Sequence, residues 1–209
     1  MPGFGRLTRA AVLAAAIAIS ATACGGGTDT NSSSSDPADP DLTAVPAGLR
    51  WELFQGVKLP AGKDGPRTTE AAALGFSRTP QGAALAAINH STRVTIAPDS
   101  KWGAIAGASL VPGPGKDWFV SNRALVSITA SADAEKPRIQ GYSITSYSPA
   151  EADVLIFSAY SDGSVGQNAV HVTWMAEDWR LRLPDPADKT PTVTSIAAIP
   201  ADAVQLGSA

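Results

Sequence analysis

Residues 167–184, QNAVHVTWMAEDWRLRLP, decide how this chain should fold. Val170, Val172 and Trp174 alternate with His171 and Thr173, and Trp179, Leu181 and Leu183 alternate with Arg180 and Arg182. Alternation with a period of two is the mark of a half-buried strand. The residues between, MAED, are too few for anything but a tight turn. Two antiparallel strands are therefore predicted, Val170–Trp174 and Trp179–Leu183. Each has one apolar and one polar face, and His171 lies on the polar one.

Two more segments upstream read the same way. PRIQGYSITSYSP and ADVLIFSAYSD each alternate or run apolar over a strand's length, and SDGSVGQ, which follows, is a hairpin loop. The last third is thus a meander of about four strands. The tail, residues 190–209, is expected to run over the surface with a short turn of helix.

Helical signals come before the meander. Thr79 is a good N-cap and Pro80 suits a first helical position, so a helix is predicted from Gln81 to about Val94. Ala84, Leu85, Ile88, Ser91 and Thr92 gather on one side. Gly82, Ala83, Ala86 and Ala87 are small enough to admit neighbours on other sides. His90 falls opposite the stripe and is expected in water. A shorter helix is read at about 99–110, closed by the breakers Pro112 to Gly115, and another from Lys116 to about Ala132. LRWELFQGVKLP, ahead of them, is a short strand or extended arm. The fold class is α+β, with N-terminal helices packed on a curved antiparallel sheet of about four strands.

The N-terminus has another purpose. Arg6 and Arg9 precede the apolar run AAVLAAAIAIS, which is short for a membrane span and ends in small residues. Residues 1–23 read as an export signal. The next residue, Cys24, is the single cysteine, and SATACGGG resembles a bacterial lipoprotein signal whose cysteine takes the lipid. Ala21 departs from the usual Leu, Val or Ile, and a plain secretory signal cut near Ala23 is the alternative. Residues 24–48, rich in Gly, Ser, Asp and Pro, cannot build a core and read as a disordered tether. Residues 49–209 are one domain. The expected location is the extracytoplasmic face of the cell membrane, reached through the lipid anchor.

The charge excludes some partners. The chain carries −3, and losing Arg6 and Arg9 with the signal leaves −5. A net acidic chain is a poor general binder of nucleic acid, which needs basic surface to displace counterions. By the same token it is a poor one for anionic lipid.

The segments WELFQGVKLPAGKDGPR, GFSRTPQGAALAAINHSTR, SYSPAEADVLIF and VTWMAEDWRLRLP together resemble an actinobacterial family of exported proteins and lipoproteins, often associated with integrative conjugative elements. The W-x-x-x-D-W-x-L hairpin is similar to domains of the nuclear transport factor two-like, cone-shaped superfold, although Glu177 stands where a Gly is common. The resemblance implies a fold and a setting. It does not select an activity, because that superfold hosts isomerases, dehydratases and silent scaffold subunits of secretion machines.

Few residues offer chemistry. Cys24 and two distant histidines, His90 and His171, have no metal-ligand spacing, and no cofactor is expected. GPGK at 113–116 is no phosphate loop, since Asp117 follows where Ser or Thr would hold magnesium. DGSVG at 162–166 lacks the nucleophile elbow's first glycine. Asp153, Asp162 and Asp178 lie near strand ends, and Tyr142, Tyr147 and Tyr160 lie on strands. One such carboxylate in an apolar pocket beside a hydroxyl could act as a base. His171 on the polar sheet face could serve the same pocket. Of five tryptophans, Trp102, near a helix start, is the one expected at the surface. The candidate residues for a pocket or interface are therefore Trp102, Asp153, Tyr160 and His171, none with an assigned catalytic role. A non-catalytic binding or scaffold domain is the favoured reading, with protein partners in the cell envelope and a homodimer among the options. A pocketed small-molecule binder or isomerase-like enzyme is the alternative.

Overall fold

The computed structural model describes residues 39–129 and 136–207. They belong to the unit Asp39–Ala209, which starts before the expected boundary at residue 49. It does so because residues 41–46 are held by the domain. Gln81 donates to the Asp41 carbonyl, the Tyr142 hydroxyl donates to the Ala44 carbonyl, and Pro46 is buried. The export signal, Cys24 and most of the tether lie outside the described residues.

The chain opens with a hairpin, β1 (Arg50–Phe54) and β2 (Val57–Ala61), joined through Gln55 and Gly56. Three helices follow: α1 (Pro80–Ile96), α2 (Trp102–Ser109) and α3 (Pro114–Arg123). Then come β3 (Arg138–Tyr147), β4 (Glu151–Ala159), β5 (Val165–Met175), β6 (Asp178–Arg182), β7 (Val193–Ile196) and β8 (Val204–Gln205). The last six form one antiparallel sheet in the order β6-β5-β4-β3-β8, with β7 pairing β5 beyond the end of β6.

This corrects the expected fold class. The described residues are mostly β: a six-stranded sheet plus a two-stranded one, with only three short helices. N-terminal helices on a sheet of about four strands are not what forms. The extra strands are those with little sequence signal. β7 is four residues long and almost wholly exposed, so it has no buried face to alternate with. β8 is two residues long.

The 167–184 hairpin forms as its alternation requires. Trp174 pairs with Trp179 and Met175 with Asp178, leaving a loop of two residues, Ala176 and Glu177. Both have positive φ, 51° and 61°. Two-residue hairpins favour such mirror-image turns because these match strand twist, but the left-handed region suits Asn and Gly far better than Ala and Glu. The double substitution Ala176→Asn, Glu177→Gly is expected to stabilise the domain by about 1 kcal/mol. A higher urea midpoint at unchanged slope is the measurement that checks it.

Helix α1 begins where predicted. The Thr79 side chain accepts the Gly82 N–H at 3.0 Å and donates to the Asp64 carboxylate at 2.7 Å. The helix is buried all round from Gly82 to His90. Its alanines let β2, α2 and the sheet approach from different sides. Asn89 fastens it to the hairpin by donating to the Pro60 carbonyl at 2.9 Å.

Helix α3 stops at Arg123, well short of Ala132. The next residues are claimed by Asp99, whose carboxylate accepts from the Ile128 N–H and the Ser127 hydroxyl. Arg123 donates to that same carboxylate and to the Ala97 carbonyl. The Ile128 N–H, then Ser127 and Arg123, hold the Asp99 carboxyl down to about 2. Leu125 and Val126, which the expected helix would have included, lie beyond its end and are exposed.

Candidate functional site

Register brings two of the expected residues together. Asp153 on β4 stands opposite His171 on β5, and His171 stands opposite Arg182 on β6. The row lies on the polar face of the sheet, as alternation requires. The His171 Nδ1 is 2.8 Å from Asp153 Oδ1, and its Nε2 is 3.8 Å from Glu151 Oε2. Arg182 turns to the Thr173 hydroxyl, donating from Nε and Nη2 at 3.3 Å. Beside this row is an open recess of about 430 Å³, whose lining includes Leu183, Pro184 and Thr192.

One smaller recess adjoins it, and another adjoins that one. One of about 190 Å³ shares Ala169 and His171 with the first, and brings in Phe119 of α3 and Val94 of α1. The next, about 170 Å³, shares Asn168 and Val193 with the second and ends at Tyr160. Tyr160, Asp153 and His171 thus line one series of neighbouring recesses along β5. Trp102 is elsewhere. It is half-buried, with the Arg123 guanidinium 5.5 Å from its ring centre, so its expected exposure is corrected. Trp118, on the outer side of α3, is the exposed tryptophan at 57%.

The His171 row is poorly equipped for covalent chemistry. Each imidazole nitrogen faces a carboxylate. The neighbouring Thr145 hydroxyl donates to the Asp153 backbone carbonyl, and the Thr173 hydroxyl is occupied by Arg182. Among the described residues none of these hydroxyls is presented to the imidazole as a nucleophile. The row works as a cross-strand polar ladder with an open face. No group of three metal-ligating side chains occurs among the described residues.

His90 corrects the sequence reading most sharply. It is fully buried, and its Nε2–H donates to the Trp179 carbonyl at 2.9 Å. Its ring meets Phe76 edge-on at 5.3 Å. Burial pushes the imidazole down to about 4, against the raising effects of the Trp179 bond and the Asp178 charge. The helical wheel placed it in water because a wheel sees only the face that carries the apolar stripe. The turn before α1 and strand β6 cover the opposite face.

Asp178 is the second residue whose role was hidden. Its carboxylate accepts the N–H groups of Gly75, Phe76 and Trp179 at 2.8, 3.0 and 2.9 Å. The Trp179 indole N–H donates to the Ser77 carbonyl at 2.9 Å. Residues 178 and 179 thus bind the loop before α1, and α1 itself, to the sheet. The remaining strand-end groups act locally or as ties. Asp162 caps a turn at Ser164, and the Tyr147 hydroxyl donates to the Arg78 carbonyl. Desolvation raises the phenol of Tyr142, which is buried in the core.

A family model described as a domain of unknown function, DUF8175, matches residues 10–200. The chain belongs to that family. The DUF8175 match spans both the N-terminal segment and the folded unit up to the loop before β8. No curated protein and no solved structure matches the chain. Among the described residues no helix is long and apolar enough to cross a membrane.

Proposed function

We propose that this DUF8175 protein is exported, lipidated at Cys24 and held at the extracytoplasmic face of the membrane, where its domain binds a partner without covalent chemistry. The observation that supports the reading best is how the interior is used. Buried polar side chains on and around α1 tie the fold together: His90 holds Trp179, Asn89 holds Pro60 of the hairpin, and Asp178 holds three backbone N–H groups. The recesses near Tyr160 and His171 are open to the surface and carry polar groups suited to contact. Trp118, with Leu125 and Val126 beyond it, adds exposed apolar surface of the kind protein interfaces use. An accessory role in conjugation or envelope assembly fits such a domain. The tether would keep it concentrated near its partners.

The location is tested by fractionation. Cys24→Ser is expected to move the protein from the membrane fraction to the medium, and a chain that stays with the membrane overturns the anchor. Pull-down from envelope extract tests the role. Recovery of envelope or conjugation components is the expected result, and their absence counts against it.

A further inference from the structure

The net acidity of the chain hides a basic cleft. Lys58 of β2, Lys136 just ahead of β3, Arg138 at the start of β3, and Ser161 after β4 line a cleft of about 520 Å³, together with Gly56, Val57 and Pro137. Among the described residues no acidic side chain is part of that lining. Among the described residues none of the three cations makes an ion pair. The Lys136 ammonium lies over the hairpin turn at Gly56, where a Cβ would overlap it. Asp133 and Glu135, just before Lys136, lie outside the described residues. Two ammonium groups, one guanidinium fork and a hydroxyl are the usual equipment for an anionic oxygen cluster, phosphate above all.

Pro137 also lines the 170 Å³ recess that ends at Tyr160. That neighbour is of another kind. Its lining has the hydroxyls of Ser91, Thr92, Thr95, Ser158 and Tyr160, the amides of Gln167 and Asn168, and apolar side chains, with no charged side chain among the described residues. Tyr160 lies against Gly166, where a Cβ would fall 3.0 Å from the ring. A larger residue at 166 would displace the ring that ends the recess. Neutral donors and acceptors beside an aromatic ring suit a polyhydroxylated ring, and the volume is that of about one sugar unit.

From this juxtaposition we propose that the two recesses form one binding site for a phosphorylated saccharide. The phosphate lies among Lys58, Lys136 and Arg138, and the sugar lies beside Tyr160. This adds a ligand class to the binding role proposed above, and it does not need the anchor. Its failure would leave the Cys24→Ser result untouched.

The test uses the purified full chain titrated with glucose 1-phosphate, inorganic phosphate and glucose, followed by calorimetry and amide NMR shifts at low ionic strength. Glucose 1-phosphate is expected to shift the amides of Arg138, Ser161, Gly166 and Asn168, and to bind about tenfold tighter than phosphate. Lys58→Gln with Arg138→Gln should weaken both anions about tenfold or more, and added salt should do the same. Tyr160→Ala should bring glucose 1-phosphate to the level of phosphate and leave phosphate unchanged. Gly166→Val checks the same point, with circular dichroism reporting that the variant folds. The proposal is overturned if neither anion binds, if both bind equally, or if the double variant keeps its affinity. It is also overturned if vesicles of an anionic phospholipid engage the three cations while glucose 1-phosphate does not compete.

Discussion

Asp178→Ala is expected to cost the domain about 3–5 kcal/mol, measured by urea unfolding at neutral pH. The carboxylate is buried and accepts three backbone N–H groups from two separate segments. Removing it strands three donors in a place where water does not easily reach them, and each such loss costs about 1–3 kcal/mol. Domains of this size have only about 5–15 kcal/mol to lose. Asp178→Asn keeps the volume and one acceptor oxygen, so it should lose roughly half as much. A loss below 1 kcal/mol in the alanine variant would mean that the loop at Gly75 and Phe76 is held by something else.

Acid should destabilise the domain through His90. Its folded value of about 4 lies below the ordinary 6.5, because burial opposes the charged form. Between those values the unfolded chain binds the proton and the folded chain does not. The contribution of His90 is therefore complete above pH 6.5, falls as pH drops through that window, and is gone below about 4. The full swing is about 3 kcal/mol. His90→Gln keeps an N–H for the Trp179 carbonyl and does not titrate. The expected result is a stability profile in which the variant is less steep than the natural chain between pH 6.5 and 4. Parallel profiles would refute the assignment. Asp99 and Asp162, whose carboxyls are held low by hydrogen bonds, steepen both curves at the acid end, so the difference between them is the quantity to read.

What could be read from the sequence was local. The strands at 167–184 and the start of α1 at Thr79 are written in neighbouring residues, as alternation in one case and as a cap and a proline in the other. The small residues of α1 also told that it would be crowded on several sides. What could not be read depended on distant chain. Asp153 meets His171 because two strands pair in one register, and nothing in either segment states that register. Lys58 comes from the first hairpin, and Lys136 and Arg138 from the approach to the third strand and its first residue, so their meeting is a property of the fold. His90 and Asp178 look like solvated polar residues until the loop at Gly75 is placed on them. The expected fold class fails because β7 and β8 are short and take their order from the strands they join.

Those two strands bear on the timing of folding. β8 covers part of the edge of β3, and the Val204 carbonyl occupies the space where Gly141 lacks a side chain. β7 lengthens the opposite flank. Each follows in the chain the strand it pairs with, so the centre of the sheet, β3 to β6, is made before either margin is complete. A margin completed only by later chain leaves backbone donors and acceptors open while the polypeptide is still being made. That delay suits a chain that crosses a membrane unfolded, as export in the manner proposed above would require.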